Sequence, residues 1–186
     1  MFCQPGYDFF QTQLTTSAHN YLEIGVFNGD SVAGIARNHL DKSIYGIDPF
    51  IEDGCTTHYT QQPRGHSIDT QRTRTYNDIE QLTNVILHEV TSKEFSNNLT
   101  DQLVKDMNVG WVLIDGSHHY EDVAIDVKLA MRLIGNKTGG IVFDDLNLDG
   151  PKQAHAEFLT QYQQQISGTK DLYDSLPKHI IAYFIN

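Results

Sequence analysis

Four residues in the second half of the chain, Asp115, His118, Asp144 and Asp145, have the side chains and spacing that chemistry needs. Asp115 closes the apolar run Val109-Gly110-Trp111-Val112-Leu113-Ile114, and Asp144-Asp145 closes Gly139-Gly140-Ile141-Val142-Phe143. Each run is short, apolar and β-branched, and a helical pattern lies between them. The unit therefore reads as β-α-β, with carboxylates at the carboxyl ends of two parallel strands. Neighbouring strands lie about 4.8 Å apart, so the three acids converge on one point. Such a cluster is tolerated when one acid takes a proton, when water separates the acids, or when a hard cation sits among them. An all-oxygen set suits Mg2+ or a similar divalent ion, which lowers the pKa of a nearby hydroxyl and fixes it for attack. His118, three residues past Asp115 at the opening of the next helix, is spaced to take the proton of that hydroxyl. Plainer roles exist for the same residues: Ser117 or His118 as a helix cap, Asp145 as the cap of a turn before Asn147, and His119 and Tyr120 as packing.

A second constellation lies near the start of the chain, in Glu23-Ile24-Gly25-Val26-Phe27-Asn28-Gly29-Asp30-Ser31. A glycine-rich turn between a strand and a helix lets backbone N–H groups approach a ligand where the helix dipole is positive. The spacing here satisfies neither the G-x-G-x-x-G dinucleotide fingerprint nor the phosphate-binding G-x-x-x-x-G-K-[ST] loop. It is acid-x-Gly-x-x-x-Gly, and a second acid, Asp48, ends the next strand, where one carboxylate can accept both hydroxyls of a ribose. Glu23 would repel a pyrophosphate and suits a ligand carrying an ammonium or sulfonium group. The plainer alternative is a tight turn made by the glycines, with Asp48 capping a helix.

The elements that must position these residues alternate along the chain. Strands are expected over residues 21 to 26, 44 to 49, 84 to 90, 109 to 114, 139 to 143 and 179 to 185. Helices are expected from a cap at Asp30 or Ser31 to about Asn38, from about Tyr76 to Leu82, and from Lys93 to Met107 with Phe95, Leu99, Leu103 and Met107 on one face. Val123, Val127, Ala130, Met131 and Ile134 mark another buried helix face, closed by Gly139-Gly140, and Pro151 starts a last helix to about Gln165. The final strand is expected to pair with Asp171-Leu172-Tyr173 as an antiparallel edge. The fold class is α/β, a three-layer sandwich around a mostly parallel sheet in one domain covering residues 1 to 186. Residues 51 to 75 lack periodicity but hold Cys55, His58, Tyr59, Arg64, His66, Arg72 and Arg74, and read either as a lid over the site or as disorder.

With its glycines and acids in this order, the chain resembles class I S-adenosylmethionine-dependent methyltransferases, whose sheet is Rossmann-like. The resemblance rests on Glu23-x-Gly25-x-x-x-Gly29, Ile47-Asp48-Pro49, Ile114-Asp115-Gly116 and the strand ending in Asp144-Asp145, and spans about residues 21 to 145. It implies S-adenosylmethionine as cofactor, with Gly25 and Gly29 against the methionine part, Asp48 on the ribose and Thr91-Ser92 beside the adenine; Glu23 and Asp115 complete that expected set. The acid, the histidine three places later and the acidic pair resemble one branch, the metal-dependent O-methyltransferases, including those acting on sugar hydroxyls of macrolides. In that branch the corresponding residues are metal ligands and base, which here would be Asp115, Asp144 and Asp145 for Mg2+ and His118 for the proton. Catechol-type relatives carry Asp-Asn at the pair, so Asp144-Asp145 makes a catechol substrate less expected.

Composition sets the remaining bounds. With 13 basic against 24 acidic residues and a net charge of -11, nucleic acid and anionic membrane are disfavoured as partners. No Asn/Asp-Pro-Pro-Tyr motif follows the fourth strand. No secretory leader or membrane-length apolar run is read, so a soluble, cytoplasmic protein with a small-molecule acceptor is expected, and a homo-oligomer is compatible with the sequence. Cys3 and Cys55 lack metal or disulfide spacing and read as free thiols. The competing class is a non-catalytic module that binds S-adenosylmethionine or a nucleotide on the same fold; the glycine spacing argues against a nicotinamide-dependent reductase.

Overall fold

The computed structural model describes residues 4–51, 68–175 and 178–186. Within them the apolar runs form β1 (Asn20–Ile24), β2 (Ile44–Ile47), β3 (Val85–His88), β4 (Val109–Ile114), β5 (Gly139–Phe143), β6 (Ile166–Ser175) and β7 (Lys178–Ile185). These make a seven-stranded sheet in the order β3-β2-β1-β4-β5-β7-β6. The first five strands pair in parallel, and β7 runs antiparallel to both β5 and β6, which sets the expected antiparallel region at the C-terminal side. Strand order reverses between β1 and β4, and ligands bind in the crevice at the carboxyl ends of strands beside such a switch point.

Alternate residues of each strand feed two cores. Tyr21, Ile44, Trp111, Leu113 and Val142 face α1 (Gln4–Thr16), α2 (Asp30–Asn38) and α3 (Ile68–Ile79), packing on Phe9, Phe10, Leu14, Val32, Ile35 and Ile79. Leu22, Ile24, Val112, Ile114 and Phe143 face α4 (Ser92–Asn98), α5 (Asp101–Met107), α6 (Tyr120–Ile134) and α7 (Asp149–Tyr162), packing on Phe95, Val123, Val127 and Phe158. The result is the expected three-layer α/β sandwich.

Several boundaries differ from the sequence reading, each for a local reason. Gly29, not Asp30 or Ser31, caps α2, at a φ of 78°, because the Ser31 hydroxyl is bonded to Glu23. The stretch expected as one helix from Lys93 to Met107 is two, α4 and α5, since the Thr100 side chain accepts from Leu103 N–H and starts a new helix; Leu103 is then 37% exposed. Gly135 ends α6, whereas Gly139 and Gly140 lie inside β5. The last helix begins at Asp149, two residues before Pro151, and ends at Tyr162 before a short 3-10 turn over Gln163–Gln165. Helix α3 begins at Ile68, so residues 68 to 75 of the expected loop are helical. Residues 52 to 67, with Cys55, His58, Tyr59, Arg64 and His66, and also Cys3, lie outside the described residues, and so does the lid expectation that rests on them.

Candidate active site

Register delivers the acids together. Leu113 and Ile114 stand opposite Val142 and Phe143, so β4 and β5 end in step at Asp115 and Asp144. Asp144 donates its N–H to Ile114 O at 3.1 Å, and Asp115 donates its N–H to Ile24 O at 2.9 Å, which extends the ladders to the acids themselves. One oxygen from each of Asp115, Asp144 and Asp145 falls within a 4.8 Å group, with Asp144 and Asp145 buried. Asp145 has a left-handed φ of 55°, rare for a residue with a Cβ, and its N–H donates to Asp144 Oδ1 at 2.6 Å, so the two carboxylates are held on successive residues of one tight turn. His118 Nε2 lies 3.1 Å from Asp145 Oδ2. Asp115, His118, Asp144 and Asp145 line a small cavity with Phe143 and Pro151. The helix-cap alternative for His118 is not what forms: His119 is the N-cap of α6 and makes no side-chain cap bond, while Ser117 Oγ accepts from His119 N–H and donates to Asp122. Tyr120 is tied to Glu157 of α7 at 2.8 Å.

These donors fit a hard divalent cation. Three carboxylates from adjoining turns offer an all-oxygen face, and a cation would offset the repulsion of like charges gathered so closely.

The glycine turn sits on the neighbouring strand end. Gly25 has a φ of 92°, and a Cβ there would come 2.1 Å from Asp115 O, so the turns after β1 and β4 touch backbone to backbone. Only glycine permits that approach. Asp48, half-buried after β2, accepts from Phe27 N–H at 2.8 Å through Oδ2 and from Phe50 N–H at 2.7 Å through Oδ1. Burial pushes its carboxyl up, and these backbone bonds oppose the shift. Glu23 points beneath the turn: it is 2% exposed, accepts from Tyr21 Oη at 2.9 Å and from Ser31 Oγ, and is pushed up to about 8 by burial despite both bonds. Thr91 caps α4 in a reciprocal capping box with Glu94, and Ser92 faces Asp126 on α6.

Two residues of this neighbourhood escape the sequence reading. Asp126 is 1% exposed, is pushed up to about 7 by burial, and would lie 3.7 Å from a Cβ placed on Gly116. An acid on the apolar face marked by Val123, Val127 and Ala130 is the signal that could have found it. Thr75 of α3, buried, donates to Phe27 O at 3.0 Å; it lies in the aperiodic stretch and carries no such signal. Two arginines of the aperiodic stretch pair with acids: Arg72 with Glu89 at 2.7 Å and Arg74 with Asp30 at 2.7 Å.

A parallel sheet reversing at β1 and β4, a glycine turn, an acid at the end of β2 and an antiparallel β5-β7-β6 end define the class I methyltransferase fold. Residues 22–146 match the family model described as a methyltransferase domain, and the chain belongs to that family. It is 29% identical over 128 residues to the uncharacterized protein R132 of Acanthamoeba polyphaga mimivirus, a match covering 67% of this chain and 50% of that protein. The chain thus spans about half the length of this curated relative. Among solved structures, the O-methyltransferase TomG of Streptomyces achromogenes, involved in tomaymycin synthesis and in complex with S-adenosylmethionine, is similar with a TM-score of 0.65 at 13% identity, over 100% of this chain and 81% of that one. An rRNA methylase from Streptococcus thermophilus is similar with a TM-score of 0.60 at 12% identity, over 100% of this chain and 98% of that one. Likeness at this identity extends to the fold, which is shared by methylases of small molecules and of RNA. Among the described residues no helix is long and apolar enough to cross a membrane.

Proposed function

We propose that this protein transfers the methyl group of S-adenosylmethionine to a hydroxyl of a small molecule. The observation that carries the reading is the cluster of Asp115, Asp144 and Asp145 within 4.8 Å, beside His118 and backing onto the glycine turn. In this reading Gly25 and Gly29 leave room for the methionine part, and Thr91 and Ser92 border the adenine. A carboxylate offers about four acceptor positions, so Asp48 retains capacity for a ribose hydroxyl beyond its bonds to Phe27 and Phe50. Asp115, Asp144 and Asp145 would hold Mg2+ or a similar ion, whose charge favours the ionised form of a neighbouring hydroxyl.

His118 handles the proton. Nε2 stands 3.1 Å from Asp145 Oδ2, and a carboxylate at that distance stabilises the imidazolium that forms when the ring takes a proton. The acceptor oxygen attacks the methyl carbon, the C–S bond breaks with its electron pair going to sulfur, and the hydroxyl proton passes to His118 and then to solvent. Fixing the two reactants in line supplies much of the rate. A small acceptor is favoured over RNA by the net charge of -11 and by the pairing of Arg72 and Arg74 with acids.

The deciding experiment incubates the protein with S-adenosylmethionine and a panel of hydroxylated small molecules, and with structured RNA, in Mg2+ or in chelator, and follows S-adenosylhomocysteine. Product formation with a hydroxylated acceptor, lost in chelator, supports the reading. Turnover on RNA alone, or no binding of S-adenosylmethionine by calorimetry, overturns it.

A further inference from the structure

Asp126 is a buried acid for which the proposed reaction has no part. It stands on the face of α6 that Val123, Val127 and Ala130 make apolar, is 1% exposed, and its Oδ1 has no hydrogen-bond partner among the described residues. A buried acceptor left unpaired is destabilising, and an alanine at this position would not carry that cost. Packing alone therefore does not account for the carboxyl. On one side it meets α4, where the Ser92 hydroxyl donates toward it. On the other it lies against the turn after β4, with Oδ2 3.7 Å from the position of a Cβ on Gly116. One helical turn earlier, Asp122 Oδ2 accepts from Ser117 Oγ at 2.8 Å, so two acids of α6 reach that turn.

The two elements that Asp126 touches serve opposite ends of the cofactor crevice. Strands β2 and β1 lie between β3 and β4, so no strand pairing joins the exit of β3, where α4 begins, to the turn after β4. The turn after β4 also supports the glycine turn: a Cβ on Gly25 would come 2.1 Å from Asp115 O and 2.5 Å from Gly116 Cα. In the cofactor reading above, Gly25 faces the methionine part and Ser92 borders the base. A carboxyl that meets both Ser92 and the Gly116 turn sets how far apart those two ends are held.

We propose that Asp126 is a positioning residue that ties the base end of the S-adenosylmethionine site to its methionine end, through Ser92 on one side and the Gly116 turn on the other. The inference rests on the cofactor reading and adds a consequence. A ligand that occupies both ends gains from their fixed spacing, whereas a ligand that occupies the base end alone does not.

Calorimetric affinities for S-adenosylhomocysteine, which reaches both ends, and for methylthioadenosine, which lacks the amino-acid part, test it without an acceptor. They are measured on the wild type and on Asp126→Ala, Asp126→Asn and Ser92→Ala. The ratio of the two affinities is the readout, because general loosening of the fold weakens both ligands alike. In Asp126→Ala and Ser92→Ala the preference for S-adenosylhomocysteine should fall about threefold to tenfold, and Asp126→Asn, which keeps an acceptor for Ser92, should hold the wild-type ratio. If Asp126→Ala does not fold, Ser92→Ala against wild type decides. An unchanged ratio in Ser92→Ala, or in a folded Asp126→Ala, overturns the inference while leaving the methyltransferase reading standing. A wild type that binds neither ligand removes that reading, and this inference with it.

Discussion

Glu23, inside β1 near its end, and Asp48, just past β2, take hydrogen bonds from Tyr21, Ser31 and the backbone of Phe27 and Phe50, whereas Asp115, Asp144 and Asp145, at the exits of β4 and β5, gather within 4.8 Å of one another. The first pair is already held by bonds to its own turn. Each oxygen has a hydroxyl or backbone N–H partner, and burial pushes the most buried acid, Glu23, up to about 8. The second group concentrates like charge beside His118, an arrangement whose repulsion a cation relieves. One end of the crevice is thus tied to its own turn, and the other brings three carboxylates together beside a histidine. In the proposed reaction that difference would let a preformed turn hold a large cofactor beside a site for a small nucleophile.

His118 gives the largest expected effect. Replacing it with Ala should cut turnover by about 10²–10⁴-fold, the usual contribution of a positioned base, while leaving S-adenosylhomocysteine affinity within about twofold. Equal loss of affinity and turnover would move His118 to the cofactor side and dissolve the division. Gly25→Ala should come next. The added Cβ would stand 2.1 Å from Asp115 O at a φ of 92°, so roughly 2–5 kcal/mol of stability should be lost in denaturant titration. A near-wild-type midpoint would mean that the turns after β1 and β4 do not touch as described.

Asp144→Asn sharpens the same contrast from the other side. The Asn oxygen can still accept from Asp145 N–H, so the turn survives while one charge is removed. Mg2+ affinity by calorimetry should drop about 10–100-fold. Without Mg2+ the variant should melt at or above the wild-type temperature, because repulsion has been reduced. A lower melting temperature in chelator would show that the carboxylate is stabilised by protein donors, as Glu23 and Asp48 are, and needs no cation.

How much of this was legible in sequence depends on whether a residue's neighbours lie along the chain or across it. The acids of the second group could be read because each ends an apolar run, and parallel register does the rest. The buttress on the first group could not. Thr75 and Ile79 are the buried residues of α3, too few to give a period, and the contact from Thr75 to Phe27 crosses 48 residues. Gly139-Gly140 reads as a stop by local propensity, but a Cβ on Gly140 would meet Trp111 Cζ3 at 2.6 Å, so the glycines are there to let β5 pack in the sheet. Glu23 was legible as an acid in the first apolar run, just before the glycine turn. Its proton was not, because burial and the hydroxyls of Tyr21 and Ser31 set it.

Glu23→Gln carries the smallest effect and the most direct reading of that proton. Burial raises this carboxyl from 4.5 to about 8, with the bonds from Ser31 and Tyr21 pulling the other way. Between those values the folded protein binds a proton that the unfolded chain lacks. The stabilisation is therefore fully present below about pH 4.5 and is lost as pH rises toward 8, by at most about 1.4 kcal/mol per pH unit. Gln cannot titrate and can still accept from a hydroxyl, so urea midpoints of the variant should fall less steeply than wild type from pH 5 to 8, and the variant should gain on wild type at the alkaline end. Parallel curves would mean that Glu23 is ionised in the fold. Retained S-adenosylhomocysteine affinity in the variant would assign Glu23 to holding the turn, whereas a loss of affinity with the fold intact would return it to direct contact with the cofactor and bring the two ends of the crevice closer in kind.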